Sequence, residues 1–118
     1  MPFTFTVEHG PEYVTVTSAG FAALADLCGL FDLVRVTCER HGHTRALLDL
    51  RQVEIQFAFT DHLALGAHAA SALRSMGRVA SVVAPKFRVG TSEKAAQQMG
   101  LRFRTFTDLS EAIAWLGC

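Results

Sequence analysis

The segment 102–118, RFRTFTDLSEAIAWLGC, constrains the fold more than any other part of the chain. It begins with a short alternation of apolar and polar residues, which is typical of a strand. Asp108 then stands where a helix N-cap is expected, and Glu111 follows at the spacing of a capping box. The helix continues with an apolar stripe formed by Leu109, Ala112, Ile113 and Leu116. A strand followed directly by a capped amphipathic helix indicates an α/β domain.

The same change between two-residue and helical periods recurs along the chain. Alternation on both sides of the turn signal Gly10-Pro11 predicts a hairpin. Three more helices and two buried strands are predicted before the tail. The expected helices are Phe21 to about Arg40, Thr60 to Met76 with Gly77 as its stop, and Thr91 to Met99; the expected buried strands are Ala46 to Leu50 and Val79 to Ala84.

This order of elements, β-β-α-β-α-β-α-β-α, predicts an α/β fold in one domain over residues 1–118. Strands that alternate with helices are joined by parallel crossovers. We therefore expect a mostly parallel five-stranded sheet with an antiparallel first strand at its edge, and about four helices. Leu27 lies on the apolar stripe of the first long helix, so we expect its side chain to be buried.

Composition and charge argue against several classes of protein. Eleven basic residues balance eleven acidic ones, so no overall field attracts nucleic acid or an anionic membrane. Charges interrupt each apolar stretch within about a dozen residues, short of the ~20 that a transmembrane helix needs. The start MPFTFTVEHG has no charged leader and no apolar signal region, which predicts a cytoplasmic protein. Cys28, Cys38 and Cys118 form no CxxC pair, and their odd number favours reduced thiols.

Three segments, ALLDLR, RVASVVAP and FTDLSEAIAWL, together with the element order, resemble the small bacterial SpoIIAA-like, or STAS-like, proteins. The resemblance covers most of the chain and implies their α/β fold. In anti-sigma-factor antagonists of this type, a strand ending in Asp precedes a phosphate-accepting serine at the next helix start. Asp49 matches the strand-end residue, whereas Thr60, Asp61 and His62 stand at the helix start. The resemblance thus implies an uncharacterised branch without the phosphoserine switch and without an established activity.

We expect a candidate ligand site at the carboxyl ends of the parallel strands, where ligands collect in α/β sheets. Helix starts at that edge offer free amides, and basic side chains nearby can hold an anion. The candidate ligand-binding residues are Asp49, Arg51, Thr60, Lys86, Arg88 and Thr91. Each also has a structural interpretation: Thr60 as an N-cap, Asp49 as an acceptor for loop amides, and the cations as solvated surface.

The histidines do not complete a metal site. Asp61 and His68 share one side of a helix but lie two turns, or about 10 Å, apart along its axis. His41 and His43 flank a turn, and two histidines alone do not supply the three or four ligands that zinc takes. His62 falls on an apolar stripe, where a boundary histidine with a hydrogen-bonded ring is expected. The spacing reveals no set of residues arranged for catalysis. We therefore predict that the chain binds no metal or cofactor and is not an enzyme.

Two helix surfaces favour protein contacts. The helix from Thr60 carries the small residues Ala64, Ala67 and Ser71 away from its stripe, and these would let another chain approach closely. The apolar residues outside the stripe of the first long helix are Phe21, Leu33 and Val36. We therefore predict a homodimer formed through helix surfaces and a non-enzymatic interaction or regulatory module. The alternative is a small apolar-ligand or lipid-binding protein, by analogy with CRAL-TRIO domains of the same fold class.

Overall fold

The computed structural model of the chain describes residues 2–88 and 90–117, so Cys118 lies outside the described residues. The strands are β1 Thr4–His9, β2 Val14–Ala22, β3 Arg45–Ile55, β4 Arg78–Val83 and β5 Phe103–Phe106. The helices are α1 Leu24–His41, α2 Phe59–Ala72, α3 Thr91–Gln98 and α4 Leu109–Gly117, with a short 3₁₀ turn at Pro85–Phe87. The predicted order of strands and helices is confirmed.

The five strands form one sheet in the order β1-β2-β3-β4-β5. β1 pairs antiparallel with β2 at one edge, and the other neighbours are parallel, as predicted. Each of α1, α2 and α3 connects a strand to its next neighbour in the same direction. The right-handed rule for parallel crossovers therefore predicts that all three lie on one face of the sheet. They share one core there, while α4 follows the last strand and packs on the opposite face.

The larger core lies between the sheet and α1, α2 and α3. Leu27 of α1 is 1% exposed within it, which confirms the expected burial of the stripe. A smaller core beneath α4 includes Leu47, Val82, Phe106 and Leu116. Both faces of the central strands are covered, which explains why Ala46 to Leu50 and Val79 to Val83 read as nearly continuous apolar runs.

Strand β3 extends beyond its predicted apolar run. A bulge interrupts the alternation of apolar and polar residues, so the sequence pattern does not show the second half of the strand. Thr17 of β2 pairs with Asp49 of β3, but Ala19 pairs with Gln52, so β3 carries one extra residue between the two pairs. Val53 returns to the core beyond the bulge. The strand therefore continues five residues past the predicted strand Ala46 to Leu50, and only residues 56–58 connect it to α2.

Phe21 belongs to β2 and not to α1, so the prediction that it lies on a helix with Leu33 and Val36 is wrong. β2 continues past residue 20 because it pairs with the extended end of β3. Gly20 is required in this stretch, since its φ is 105° and an added Cβ would lie 2.2 Å from the carbonyl oxygen of Pro2. Phe21 and Val36 are exposed, while Leu33 packs against the core.

Helix α2 begins before Thr60, so the prediction of Thr60 as its N-cap is wrong. Ala58 is the N-cap residue, and its backbone N–H donates to the Asp61 carboxylate at 3.0 Å. This is the carboxylate half of a capping box, made without a side-chain oxygen at the cap. The helix also ends at Ala72 and not at Met76. Leu73 and Met76 remain buried in the turn that follows, which explains why the apolar spacing outlasts the helix.

Asp108 caps α4 as predicted. Its Oδ1 accepts the backbone N–H of Ser110 at 2.8 Å and that of Glu111 at 3.4 Å. Across the described ranges 2–88 and 90–117, none of the helices has the length and apolar character needed to cross a membrane.

Candidate functional site

An apolar pocket opens between the sheet and the N-terminal ends of α2 and α3, at the carboxyl ends of β3 and β4. This is where ligands bind in parallel α/β sheets. Its apolar wall combines core side chains with two aromatic residues from the connecting segments, Phe57 and Phe87. The other main apolar lining residues are Leu27, Phe31, Leu50, Ile55, Leu65, Val83 and Phe103. The pocket volume is about 50 Å³, well below the roughly 300–1,000 Å³ of a drug-sized ligand site.

His62 and Ser92 supply polar groups to the pocket where α2 meets α3. The Nδ1 atom of His62 lies 3.2 Å from the Ser92 hydroxyl, and the imidazole packs against the ring of Phe57. Burial lowers the pKa of His62 below its usual 6.5, because desolvation disfavours the imidazolium form and outweighs the nearby Asp61 carboxylate. The half-buried, hydrogen-bonded histidine that the sequence predicts at this position is confirmed.

A chain of hydrogen bonds crosses the floor of the pocket. The Ser81 and Thr105 hydroxyls lie 3.0 Å apart, and the Thr105 backbone N–H donates to the Glu93 carboxylate. Arg88 reaches the other oxygen of Glu93 at 3.4 Å. Both Glu93 oxygens are thus engaged with the protein itself. The pocket offers a ligand mainly apolar surface together with the His62 and Ser92 pair.

The predicted strand-end residues Asp49 and Arg51 form an ion pair outside the pocket. Arg51 Nε and Nη2 donate to the two Asp49 carboxylate oxygens at 2.9 and 2.8 Å, and this interaction lowers the pKa of Asp49. Leu48 and Leu50 lie in the core beneath α1–α3, so Asp49 between them faces the opposite side of the sheet. The pair does not meet the helix starts with which it was grouped.

None of the other four predicted residues lines the pocket. Thr60 is exposed in the first turn of α2. Lys86 lies 5.0 Å from the Phe87 ring, Arg88 pairs with Glu93, and Thr91 is the first residue of α3. The structure brings together their neighbours Phe87, Ser92 and Glu93 instead. A role in ligand binding for the six residues stays a prediction.

Sequence reasoning missed most of the pocket because its lining comes from segments distant in the chain. His62 and Ser92 were each visible at a helix start, but neither residue carries a spacing that predicts their contact. Gly66 is the reason that they meet. An added Cβ there would lie 2.5 Å from the Ser92 carbonyl oxygen, so only glycine lets α2 and α3 pack this closely.

A second feature is the solvent-facing side of α2, here called the outward face. Its exposed residues are Phe59, Thr60, Leu63, Ala64, Ala67 and Ser71. No member of this set is charged, and the Phe59 side chain is 65% exposed. The expected stripe of small residues is present, and the earlier helix start adds a large aromatic ring at its N-terminal end.

His68, His9 and His41 make pairwise contacts. His68 Nε2 lies 2.9 Å from the Asp32 carboxylate across the α1–α2 contact, and the ring centroids of His9 and His41 lie 4.1 Å apart in a tilted arrangement. Among the residues that the structure describes, no group of three His, Cys, Asp or Glu side chains is placed to hold a metal ion.

Comparison with solved structures finds the same fold in bacterial proteins. An anti-sigma factor antagonist from Mycobacterium paratuberculosis is 14% identical, with 99% of this chain and 96% of that chain covered and a TM-score of 0.67. An uncharacterised protein with a SpoIIAA-like fold from Shewanella loihica is 20% identical, with 97% and 93% covered and a TM-score of 0.57. The unphosphorylated form of the anti-sigma factor antagonist SpoIIAA is 13% identical, with 97% and 98% covered and a TM-score of 0.54.

At these identities the likeness is one of fold. No curated protein matches the sequence. The SpoIIAA-like family model matches residues 14–117, which is nearly the whole chain. This match agrees with the segments that suggested the resemblance. The chain therefore belongs to the SpoIIAA-like family.

Proposed function

We propose that this chain is a non-enzymatic interaction module of a regulatory kind, which binds a partner protein through the outward face of α2. The observation that carries the proposal is the uncharged, apolar character of that face. Phe59 and Leu63 are one helical turn apart and both exposed, and Ala64 and Ala67 continue the surface. Contiguous exposed apolar surface commonly marks a protein contact.

The composition of the outward face suits a helix or apolar segment of a partner. Phe59 supplies an aromatic anchor of the kind that dominates binding energy, and the alanines allow close approach of a second backbone. Two of the similar structures are anti-sigma factor antagonists, a name that describes action on another protein. We also propose that the chain acts in the bacterial cytoplasm.

We also propose that the module works without a phosphoserine switch at this helix. The first three residues of α2 are Phe59, Thr60 and Asp61, so a serine acceptor is missing from this turn. Thr60 is exposed, so burial alone would not prevent its phosphorylation in a test of this proposal. Incubation with a switch kinase of an antagonist system is expected to leave Thr60 unmodified, and stoichiometric phosphate on Thr60 would contradict this part of the proposal.

Affinity capture with matched variants tests the interaction face. Wild-type protein, Phe59→Ser and Met99→Ser are immobilised and exposed to extract of the cells that make the chain. Met99 lies beyond the outward face and is 62% exposed, against 65% for Phe59, so it matches the loss of an exposed apolar side chain. We expect a protein that wild type and Met99→Ser retain and Phe59→Ser loses. Identical sets on all three would contradict the proposal.

The pocket favours a second candidate function, the binding of a small apolar ligand. Its wall is aliphatic and aromatic, and the His62 and Ser92 pair can orient one polar group. The space of about 50 Å³ is too small for a larger ligand unless lining side chains move aside. Native mass spectrometry of protein purified from its own cells is the test. A retained ligand that is lost in Val83→Phe, which fills the pocket, would support this function, whereas ligand-free protein would contradict it.

A further inference from the structure

The two edges of the sheet differ in how their backbone groups are protected. β5 is short, and two α3 side chains cover its free edge: Gln97 donates to the Phe103 carbonyl at 2.8 Å, and Glu93 accepts the Thr105 N–H. Arg104 adds an exposed charge in the middle of β5. Short, charged or covered edges resist pairing with another chain. The β5 edge is therefore closed to a partner.

The β1 edge is less protected. Among the described strands, β1 pairs only with β2, and five of its six residues are exposed. Within residues 2–88 and 90–117, no side chain forms a hydrogen bond with the β1 backbone. Glu8 is the one Asp, Glu, Lys or Arg of the strand, which contains no proline, and Phe5 is 49% exposed. Such an edge is a template for strand addition.

We propose that two copies of the chain join antiparallel along β1, which makes a continuous ten-stranded sheet. The proposal is independent of the outward face of α2 and leaves that face free for a different partner. It also replaces the predicted helix-mediated homodimer with an association through a sheet edge. A closed two-fold pair is the commonest arrangement of soluble oligomers.

The alternation of β1 restricts the register of such a pair. Val7 pairs with Val16, which lies in the core beneath α1–α3, so the odd positions of β1 face that side and the even positions face the other. A two-fold axis perpendicular to the sheet keeps each face on its own side. The axis must therefore lie midway between the two copies of one residue, so that this residue of β1 faces its own copy in the second strand.

An axis at Thr6 gives the best-matched contacts. It sets Thr6 against Thr6 of the second copy, Phe5 against Val7, and Thr4 against Glu8. Aromatic residues opposite β-branched ones are favourable cross-strand pairs. The charge of Glu8 meets a hydroxyl, so no like charges oppose each other. The surface of β1 is thus complementary to a second copy of itself.

The two neighbouring registers are less suitable. An axis at Val7 would set Phe5 against His9, whose ring already contacts the ring of His41. An axis at Phe5 would leave Val7 and the residues after it without partners in the second strand. We therefore expect the two copies to pair in the Thr6 register.

Cysteine cross-linking tests both the edge and its register. In a background with Cys28→Ser and Cys118→Ser, the variant Thr6→Cys places two thiols directly opposite, with Cβ atoms about 4.5–5.5 Å apart. We expect Thr6→Cys to form covalent dimers under mild oxidation and Thr4→Cys alone to form none. A mixture of Thr4→Cys with Glu8→Cys should again cross-link. Equal cross-linking of both single variants, or of neither, would overturn the proposal.

Sedimentation provides a second readout that needs no cysteine. Wild type is expected to shift from 12.8 kDa to twice that mass as concentration rises. Phe5→Lys should weaken this association at least about tenfold, because edge lysines oppose strand pairing, while Ile113→Lys on α4 should not. Phe59→Ser should dimerise like wild type, so failure of the α2 proposal and failure of this one remain distinguishable. A wild type that stays monomeric contradicts the proposal.

Discussion

The two sides of α2 are both apolar, yet one is buried in the fold and the other is exposed to solvent. The inward side packs Leu65, Gly66 and Ala69 against the sheet and α3, where all three are buried. The outward face presents Phe59 and Leu63 to solvent without a charged residue among them. Burial on the inward side explains why the helix folds onto the sheet, but it does not explain the outward face. That difference separates the residues that stabilise the fold from those that we assign to binding.

The sharpest test of this comparison uses two leucines on the same helix. Leu65→Ala should lower the free energy of unfolding by about 2–5 kcal/mol, because it removes buried methyl groups and enlarges a cavity. Leu63→Ala should change it by about 0.5 kcal/mol or less, because 41% of its side chain is already exposed. Urea denaturation measures both. Equal losses would show that the outward face is part of the folding core.

A pair of glycines tests the close approach of α2 to α3. Gly66→Ala should cost about 1–3 kcal/mol, because its Cβ would lie 2.5 Å from the Ser92 carbonyl oxygen and 2.6 Å from Ala95. Gly29→Ala in α1 meets nothing within 4 Å, and should stabilise the protein by about 0.4–1 kcal/mol. Thermal or urea unfolding of the two variants decides. Stabilisation by both substitutions would contradict a close contact between α2 and α3 at Gly66.

Helix capping distinguishes Thr60 on the outward face from a true cap. Asp108→Ala should lower the free energy of unfolding by about 0.5–2 kcal/mol, because two α4 amides lose their acceptor. Thr60→Ala should change it by less than about 0.5 kcal/mol, because Ala58 and Asp61 form the N-terminal contact of α2. A loss on Thr60→Ala as large as that on Asp108→Ala would restore Thr60 as the cap.

The smallest expected effect is the pH dependence contributed by His62 at the boundary of the inward side. Its folded-state pKa lies below 6.5, so the unfolded chain binds the proton at a higher pH than the folded chain does. The resulting stability is fully present above pH 6.5 and is lost as the pH falls through the folded pKa. His62→Asn should therefore flatten the decline in stability between pH 7 and the folded pKa. An unchanged slope would place His62 in solvent.

Sequence reasoning predicted the sheet because each period was local. Asp108 and the stripe after it defined α4, and the apolar runs around Leu48 and Val82 defined central strands. The errors arose where a strand pairing or a capping contact overrode the apolar pattern. The bulge after Asp49 broke the alternation of β3, and Asp61 moved the start of α2 to a residue without a cap side chain.

The candidate site was harder to predict than the fold. The pocket needs His62 and Ser92 in contact, and that contact depends on the packing at Gly66 and not on any spacing between the two residues. The outward face was predicted only for Ala64 and its small neighbours, because Phe59 lay outside the expected helix. The first failure concerns the packing between two helices and the second concerns the start of α2, and periodicity records neither.

Site-specific photo-cross-linking in living cells tests the central claim most directly. A benzophenone amino acid replaces Phe59 on the outward face or Met99 beyond it, two positions of nearly equal exposure. If the outward face binds a partner protein, we expect a discrete cross-linked product of this chain with another protein from position 59 and none from position 99. Absence of any product at position 59, or the same product from both positions, would contradict the assignment of the outward face of α2 as a binding surface.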